Sequence, residues 1–500
     1  MASAWRRAPA RGNRLSNWLL RTGLSEGITP ADDVVNMRRS ALVDREAERR
    51  VLDDLIDKAG QRGGALVVCG EAGLGKTALL GEASARAKER GRTVLTTAGF
   101  QAEAHLPFAG LHHLLGPLLA GVDQLPTPQR VALQAAFGLT DSAAPEFFLI
   151  ALAALELLAD AAADRPLLLV AEDAHWLDGE TCDVLAFVAR RLGSEPIVLL
   201  MSLREGYESP LAAPDLPMLQ LRALDEAAAI ALLDRAGQQF NLAVRRRVLE
   251  QAAGNPLALL ELAATLGAER SGRLASAPGG VPLTERLERA FATRASELPA
   301  ATRRLLLVAA LADNSSLAEI IDATAALHGG GPPLDTLEPA VSAGLIDVDV
   351  TELRFRHPLV RAAIAQAAGV AERHAAHAAL ADVLVDQPDR QVWHRAAAAV
   401  GPDETTAAAL EAVAARAERR GAIAAAVAAL ERAARLSSDP PPTACRSRRL
   451  RRARKRPLSR AIENCPETVM RSAHWWPWDL PSGGHQRRMV RSVASSPPRG

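Results

Sequence analysis

An α/β fold built on a parallel sheet follows from three features of the sequence. Residues 66–80 read as strand, glycine-rich loop and helix in direct succession. Two continuous apolar runs of strand length, residues 166–171 and 197–203, each end in charged residues, as strands buried on both faces do. Helical periodicity fills the intervals, so strands and helices alternate. That order implies right-handed crossovers and a ligand site at the carboxyl ends of the strands.

The elements follow in chain order. Val51, Leu52, Leu55 and Ile56 share one face of a helix over residues 48–59. The strand at 66–69 runs into Gly70-Glu71-Ala72-Gly73-Leu74-Gly75-Lys76-Thr77, which fits the pattern G-x-x-x-x-G-K-[ST] of a nucleotide phosphate loop. Glycines let successive backbone N–H groups turn inward onto phosphate oxygens, and the helix that starts here adds its positive end. Lys76 is placed to reach the β- and γ-phosphates, and the Thr77 hydroxyl to help hold Mg²⁺. The chain has only four lysines, Lys58, Lys76, Lys88 and Lys455. A chance match is therefore expected at roughly a few in a thousand.

Residues 93–97 read as the second strand. A helix over residues 106–115 opens on Pro107 and Phe108, and its His112 and His113 have no acidic or cysteine partner nearby in sequence, so they are read as surface or partly packed residues. The apolar run at 166–171 ends at Glu172-Asp173-Ala174-His175-Trp176-Leu177-Asp178. A carboxylate at that strand end belongs beside Thr77 and the metal. By register Glu172 takes the Mg²⁺ side and Asp173 the side of the attacking water. A helix at 181–191 leads to the strand at 197–203, which ends at Arg204. Two readings of Arg204 stand, a cation facing the γ-phosphate or an ordinary strand-terminal arginine. Residues 218–221 form a short fifth strand.

The predicted organisation is an α/β P-loop NTPase core at 38–222, a helical lid at 223–275, a winged-helix-like unit at 283–370 and an α-helical repeat segment at 371–438. The lid contains Asn255 and Pro256 as helix cap and first-turn proline. The winged unit contains a strand pair near 345–348 and 353–356. A linker rich in Gly, Ser and Pro separates lid and winged unit at 271–282. Residues 1–37 are basic and lack the apolar core of a signal peptide. They read as a disordered extension, as sequence upstream of a start at Met37, or as an organelle-targeting helix.

Residues 440–500 carry 14 of the 59 Lys and Arg but only 3 of the 58 Asp and Glu, so the body is mildly acidic and poorly suited to non-specific nucleic-acid binding. The segment 439–500 itself reads either as a disordered basic tail that binds single strands or as the product of a frame change. The cysteines Cys69, Cys182, Cys445 and Cys465 show neither metal spacing nor a disulfide framework, which fits the cytoplasm. The most apolar stretch, 147–155, is short of the roughly 20 residues that span a bilayer.

Together, residues 42–46, the phosphate loop, 106–115, 172–178, 254–259, 355–361 and the alanine-rich helices to Leu436 resemble the large ATP-binding regulators of the LuxR type, in the STAND branch of the AAA+-like ATPases. The resemblance covers about residues 38–438. It implies a switch driven by ATP and Mg²⁺, with Arg45 and Pro256 near the nucleotide and His357 sensing the diphosphate state. An alternative for His357 is a residue that merely ends a strand before a proline-started helix. The resemblance also implies an effector or regulatory protein as partner, and ATP-dependent self-association. Asp44 stands where the family has glycine, and Glu172 where it has aspartate. The family's helix-turn-helix pattern is not found after Leu436, so DNA is expected as a partner only if the intact protein supplies that module. Two competing readings are a continuously hydrolysing AAA+ machine acting on DNA or protein, and a truncated nucleotide-binding regulator without output.

Overall fold

The computed structural model describes residues 42–438, apart from 61, 102, 141–143, 214, 237–241, 269–282, 313–315 and 329–333. The expectations for residues 1–37, for the linker at 271–282 and for the tail at 439–500 lie outside the described residues.

The ATPase-like half starts with α1 (Glu46–Lys58), β1 (Gly64–Gly70), α2 (Lys76–Glu89) and β2 (Thr93–Ala98). Next come α3 (Ala109–Leu115), a 3₁₀ stretch (Gly116–Gln124), α4 (Thr127–Ala136) and α5 (Phe147–Asp164). Then β3 (Leu167–Glu172), α6 (Gly179–Ala189), β4 (Ile197–Arg204) and β5 (Met218–Gln220) complete the sheet. Its strand order is β2-β3-β4-β1-β5, and every pairing is parallel.

The continuous apolar runs are explained by burial on both faces. Leu66 and Val68 of β1, Leu168 and Val170 of β3, and Val198 and Leu200 of β4 pack on one face against Leu52 and Ile56 of α1 and Leu79, Leu80 and Ala83 of α2. Each such side chain contributes about 1.5–3 kcal/mol on burial. The residues between them point to the opposite face, which α5 covers at β3 and β4. Helix α5 extends the apolar stretch at 147–155 into an 18-residue buried helix. No helix among the described residues is long and apolar enough to cross a membrane.

Most element boundaries fall within two residues of the sequence reading, and one start differs by three. Helix α3 starts at Ala109 rather than at 106, because Phe108 adopts a left-handed conformation (φ 57°) that no helix interior accommodates.

The second half is helical. The lid comprises α7 (Glu226–Arg235), α8 (Leu242–Ala252) and α9 (Pro256–Ala268). The winged-helix-like unit comprises α10 (Leu283–Ser296), α11 (Ala300–Leu311), α12 (Leu317–His328), α13 (Glu338–Ser342), the antiparallel pair β6 (Ile346–Val348) and β7 (Leu353–Phe355), and α14 (Pro358–Ala367). The repeat segment consists of α15 (Val370–Val383), α16 (Pro388–Ala398), α17 (Glu404–Arg419) and α18 (Ile423–Leu436). A single apolar cluster runs from Leu224 in the lid through Leu305, Ile346 and Val360 to Leu380 of α15.

Candidate nucleotide site

The loop between β1 and α2 holds the residues that the sequence assigns to phosphate binding. Gly75 caps α2 in a left-handed conformation (φ 91°), which turns the chain abruptly from loop into helix. Lys76, the first residue of α2, is buried, and its Nζ donates to the carbonyls of Gly70 (2.8 Å) and Glu71 (2.7 Å). The ammonium thus lies folded along its own loop. Burial pulls its pKa below the usual lysine value, and the Asp173 carboxylate opposes that pull most strongly.

Strand β4 lies between β1 and β3, so the phosphate loop and the acidic strand end are separated by one strand. Neighbouring strands lie about 5 Å apart, which places both ends within the reach of one triphosphate. Arg204 closes β4 in register with Gly70. Glu172 closes β3, and Asp173 follows in a left-handed turn (φ 44°, ψ 44°) pinned by its N–H to Ser202 Oγ at 2.8 Å. Burial pushes the Asp173 carboxyl above the ordinary range, while Lys76 and Arg204 pull it back. Lys76, Asp173 and Arg204 therefore form one electrostatically coupled group.

His357 joins this group from the winged-helix-like unit. It caps α14, its Nδ1 accepting the N–H of Leu359 at 3.1 Å. Burial, then the positive charges of Lys76 and Arg204, hold its pKa down at about 4. The imidazole is neutral at pH 7, and because Nδ1 is an acceptor, the proton resides on Nε2.

The lid is bonded to the loop directly. Asn255 Nδ2 donates to the Ala72 carbonyl (2.8 Å), while its Oδ1 accepts the N–H of Ala258 (3.2 Å) as the cap of α9. The N–H of Leu257 reaches the Gly73 carbonyl at 3.2 Å, which brings Pro256 beside the loop. Gly73 (φ 83°) has no room for a side chain, since a Cβ would lie 2.6 Å from Asn255 Oδ1. The Arg45 guanidinium spans Glu48 (2.9 Å), the Leu74 carbonyl (3.4 Å) and the Arg222 carbonyl (2.6 Å). Its donors are thus committed to fixing the loop against the exit of β5.

Sequence reasoning missed three residues here. Asp178 looks like a third carboxylate of the acidic motif, yet it accepts from Phe108 N–H (2.9 Å), Gly110 N–H (3.1 Å), Thr181 N–H (2.9 Å) and Thr181 Oγ1 (2.7 Å). It clamps the starts of α3 and α6. The D-x-x-T spacing of an N-cap was the available signal. His175 stacks against Trp176 (5.1 Å) and Tyr207 (4.8 Å), and burial followed by Lys76 and Arg204 holds its pKa at about 4. Ser202, inside an apolar strand, supports Asp173.

Residues 41–201 match the family described as the AAA ATPase domain. The AAA ATPase domain thus includes the phosphate loop, the acidic strand end and most of β4, and this part of the chain has the fold of a P-loop ATPase. Solved structures similar to the chain include a Signal Transduction ATPase with Numerous Domains (STAND) protein with a tetratricopeptide repeat sensor from Pyrococcus horikoshii, at 16% identity over 79% of this chain and 58% of that one, TM-score 0.45. This chain therefore spans less than two thirds of that protein. A Walker-type ATPase of Pyrococcus abyssi aligns at 15% identity over 65% of this chain and 96% of its own, TM-score 0.31. The Drosophila ORC bound to DNA aligns at 17% identity over 68% and 99%, TM-score 0.30. No curated protein matches the chain.

Proposed function

We propose that the protein is a STAND-type regulatory switch in which ATP binding and slow hydrolysis at the AAA ATPase domain control transcription, in the manner of LuxR-type regulators. One observation carries this reading. Lys76 of the core and Asn255 of the lid are both bonded to carbonyls of one phosphate loop, and His357 of the winged-helix-like unit lies within the electrostatic reach of Lys76. A ligand there contacts all three, and a difference in its affinity for their two arrangements becomes a signal.

The donor set fits Mg²⁺: Thr77, Glu172 and Asp173 offer hard oxygen ligands beside a buried lysine. Bound Mg²⁺ supplies charge neutralisation to the phosphates. Lys76 exchanges its loop carbonyls for phosphate oxygens. Asp173, with its backbone fixed by Ser202, orients the attacking water, and Arg204 stabilises charge that develops at the γ-phosphate. His357 donates Nε2–H to a terminal phosphate, so losing the γ-phosphate changes the partner of the winged-helix-like unit. Arg45 and Pro256 shape the wall toward the base. An effector or regulatory protein sets the exchange of ADP for ATP, DNA is contacted where the intact protein supplies a helix-turn-helix, and the cytoplasm is the site of action.

Titrating the full chain with ATP and ADP, with and without Mg²⁺, tests this reading by thermal stability and by turnover. A melting temperature that climbs with either nucleotide, turnover that is slow without effector, and loss of both responses in Lys76→Ala are expected. Rapid, DNA-stimulated turnover would instead mark a continuously working AAA+ machine.

A further inference from the structure

Glu180 lies on α6 of the AAA ATPase domain, seven residues beyond Asp173, and is only 6% exposed. Its Oε1 accepts the N–H of Ala424 at 2.6 Å and that of Ala425 at 3.3 Å, 244 and 245 residues away. These are N–H groups in the first turn of α18, whose own cap residue, Ala422, offers no side-chain acceptor. A helix start leaves such donors unpaired, and here a carboxyl group of another unit supplies the cap. The turn before α18 is fitted to the core around this bond. A Cβ at Gly421 (φ 76°) would lie 3.0 Å from the Pro145 carbonyl, and one at Gly138 would meet the Arg420 guanidinium at 2.9 Å.

We propose that Glu180 is a pH-responsive latch that holds the C-terminal helix pair, α17 and α18, on the AAA ATPase domain and loosens it as pH rises through neutrality. Glu180 is almost wholly buried, so a charge on its carboxyl group lacks water. The charged and titratable groups on the elements around it are Asp178, Cys182 and Asp183 next to or on its own helix, His112 and His113 on α3, Glu156, Asp160 and Asp164 on α5, Glu431, Arg432 and Arg435 on α18, and Arg420 in the turn. Burial first, and then the Asp178 charge, raise its pKa to about 7, against the cap N–H groups that lower it. The docked form thus binds a proton more tightly than the released form, whose glutamate has the ordinary value of 4.5. Docking is favoured fully below that value and is weakened as pH rises through about 7. From pH 6 to pH 8 this linkage weakens docking about tenfold.

Hydrogen exchange of the full chain tests the latch, with intrinsic rates corrected for pH and the β1 amides as internal reference. Protection of residues 423–436 should fall about tenfold between pH 6 and pH 8 relative to β1. Glu180→Gln keeps the Oε1 acceptor without the titration, so protection should become independent of pH. Glu180→Ala removes the cap, and protection should be low at both values. Equal wild-type protection at the two pH values would overturn the proposal, as would a wild-type pH profile in Glu180→Gln. The glutamine variant decides the matter even if Glu180→Ala does not fold.

Discussion

Asn255 donates its side-chain amide to the carbonyl of Ala72, 183 residues earlier, while its amide oxygen caps the helix that follows. One side chain therefore both starts the lid helix and fastens it to the phosphate loop. The two roles can be separated chemically.

Asn255→Ala loses the cap and the tether together, and a stability loss of about 1–2 kcal/mol is expected in denaturant unfolding. Asn255→Asp keeps the acceptor and loses the donor to Ala72. It should retain most of the stability while altering ATP affinity, a split that calorimetric titration beside unfolding would resolve.

Gly73→Ala introduces a Cβ 2.6 Å from Asn255 Oδ1 and 2.9 Å from Leu257 Cβ, at a backbone angle that alanine adopts poorly. The lid should detach from the loop, with a loss of about 1 kcal/mol or more and a sharp drop in nucleotide affinity. Limited proteolysis between 223 and 256 would report the detachment.

Asp178→Ala strips partners from the N–H groups of Phe108, Gly110 and Thr181, all in a buried setting. Unpaired buried donors cost about 1–3 kcal/mol each, so a loss of about 3 kcal/mol or more is expected, read as a lowered melting temperature. Asp178→Asn, which keeps an acceptor oxygen, should recover part of it.

Acid should loosen the winged-helix-like unit through His357. Its folded pKa of about 4 lies below the ordinary 6.5, so the neutral form is the one the fold accepts. The stability it contributes is complete above 6.5 and is lost as pH falls through about 4, amounting to about 3 kcal/mol. His357→Asn should flatten that part of the stability profile, measured by chemical unfolding between pH 4 and pH 7. Because His175 titrates in the same window, the double variant should flatten it further.

The sequence was most legible where chemistry is contiguous. The phosphate loop, the apolar strands and the charged residues that end them all lie in single short runs, and the parallel sheet brings those ends to one edge. Long-range partners were not legible. Nothing in the local pattern of Asn255 names Ala72, and nothing around Glu180 names Ala424, since both pairings depend on how separate units dock. The part played by Asp178 was hidden because its oxygens are consumed by backbone donors at the start of α3, about 70 residues earlier in the chain. The start of α3 was misplaced because a left-handed phenylalanine is invisible to periodicity.

The apolar cluster shared from Leu224 to Leu380 sets how this protein can open. Parting the lid from the winged-helix-like unit would wet apolar side chains on both, so an opening that keeps the cluster dry moves the two as one body. The pivot is then confined to the short stretch after β5, where Arg45 grips the carbonyl of Arg222. A movement of a few degrees there is magnified along the body, and the neutral imidazole of His357 travels with it.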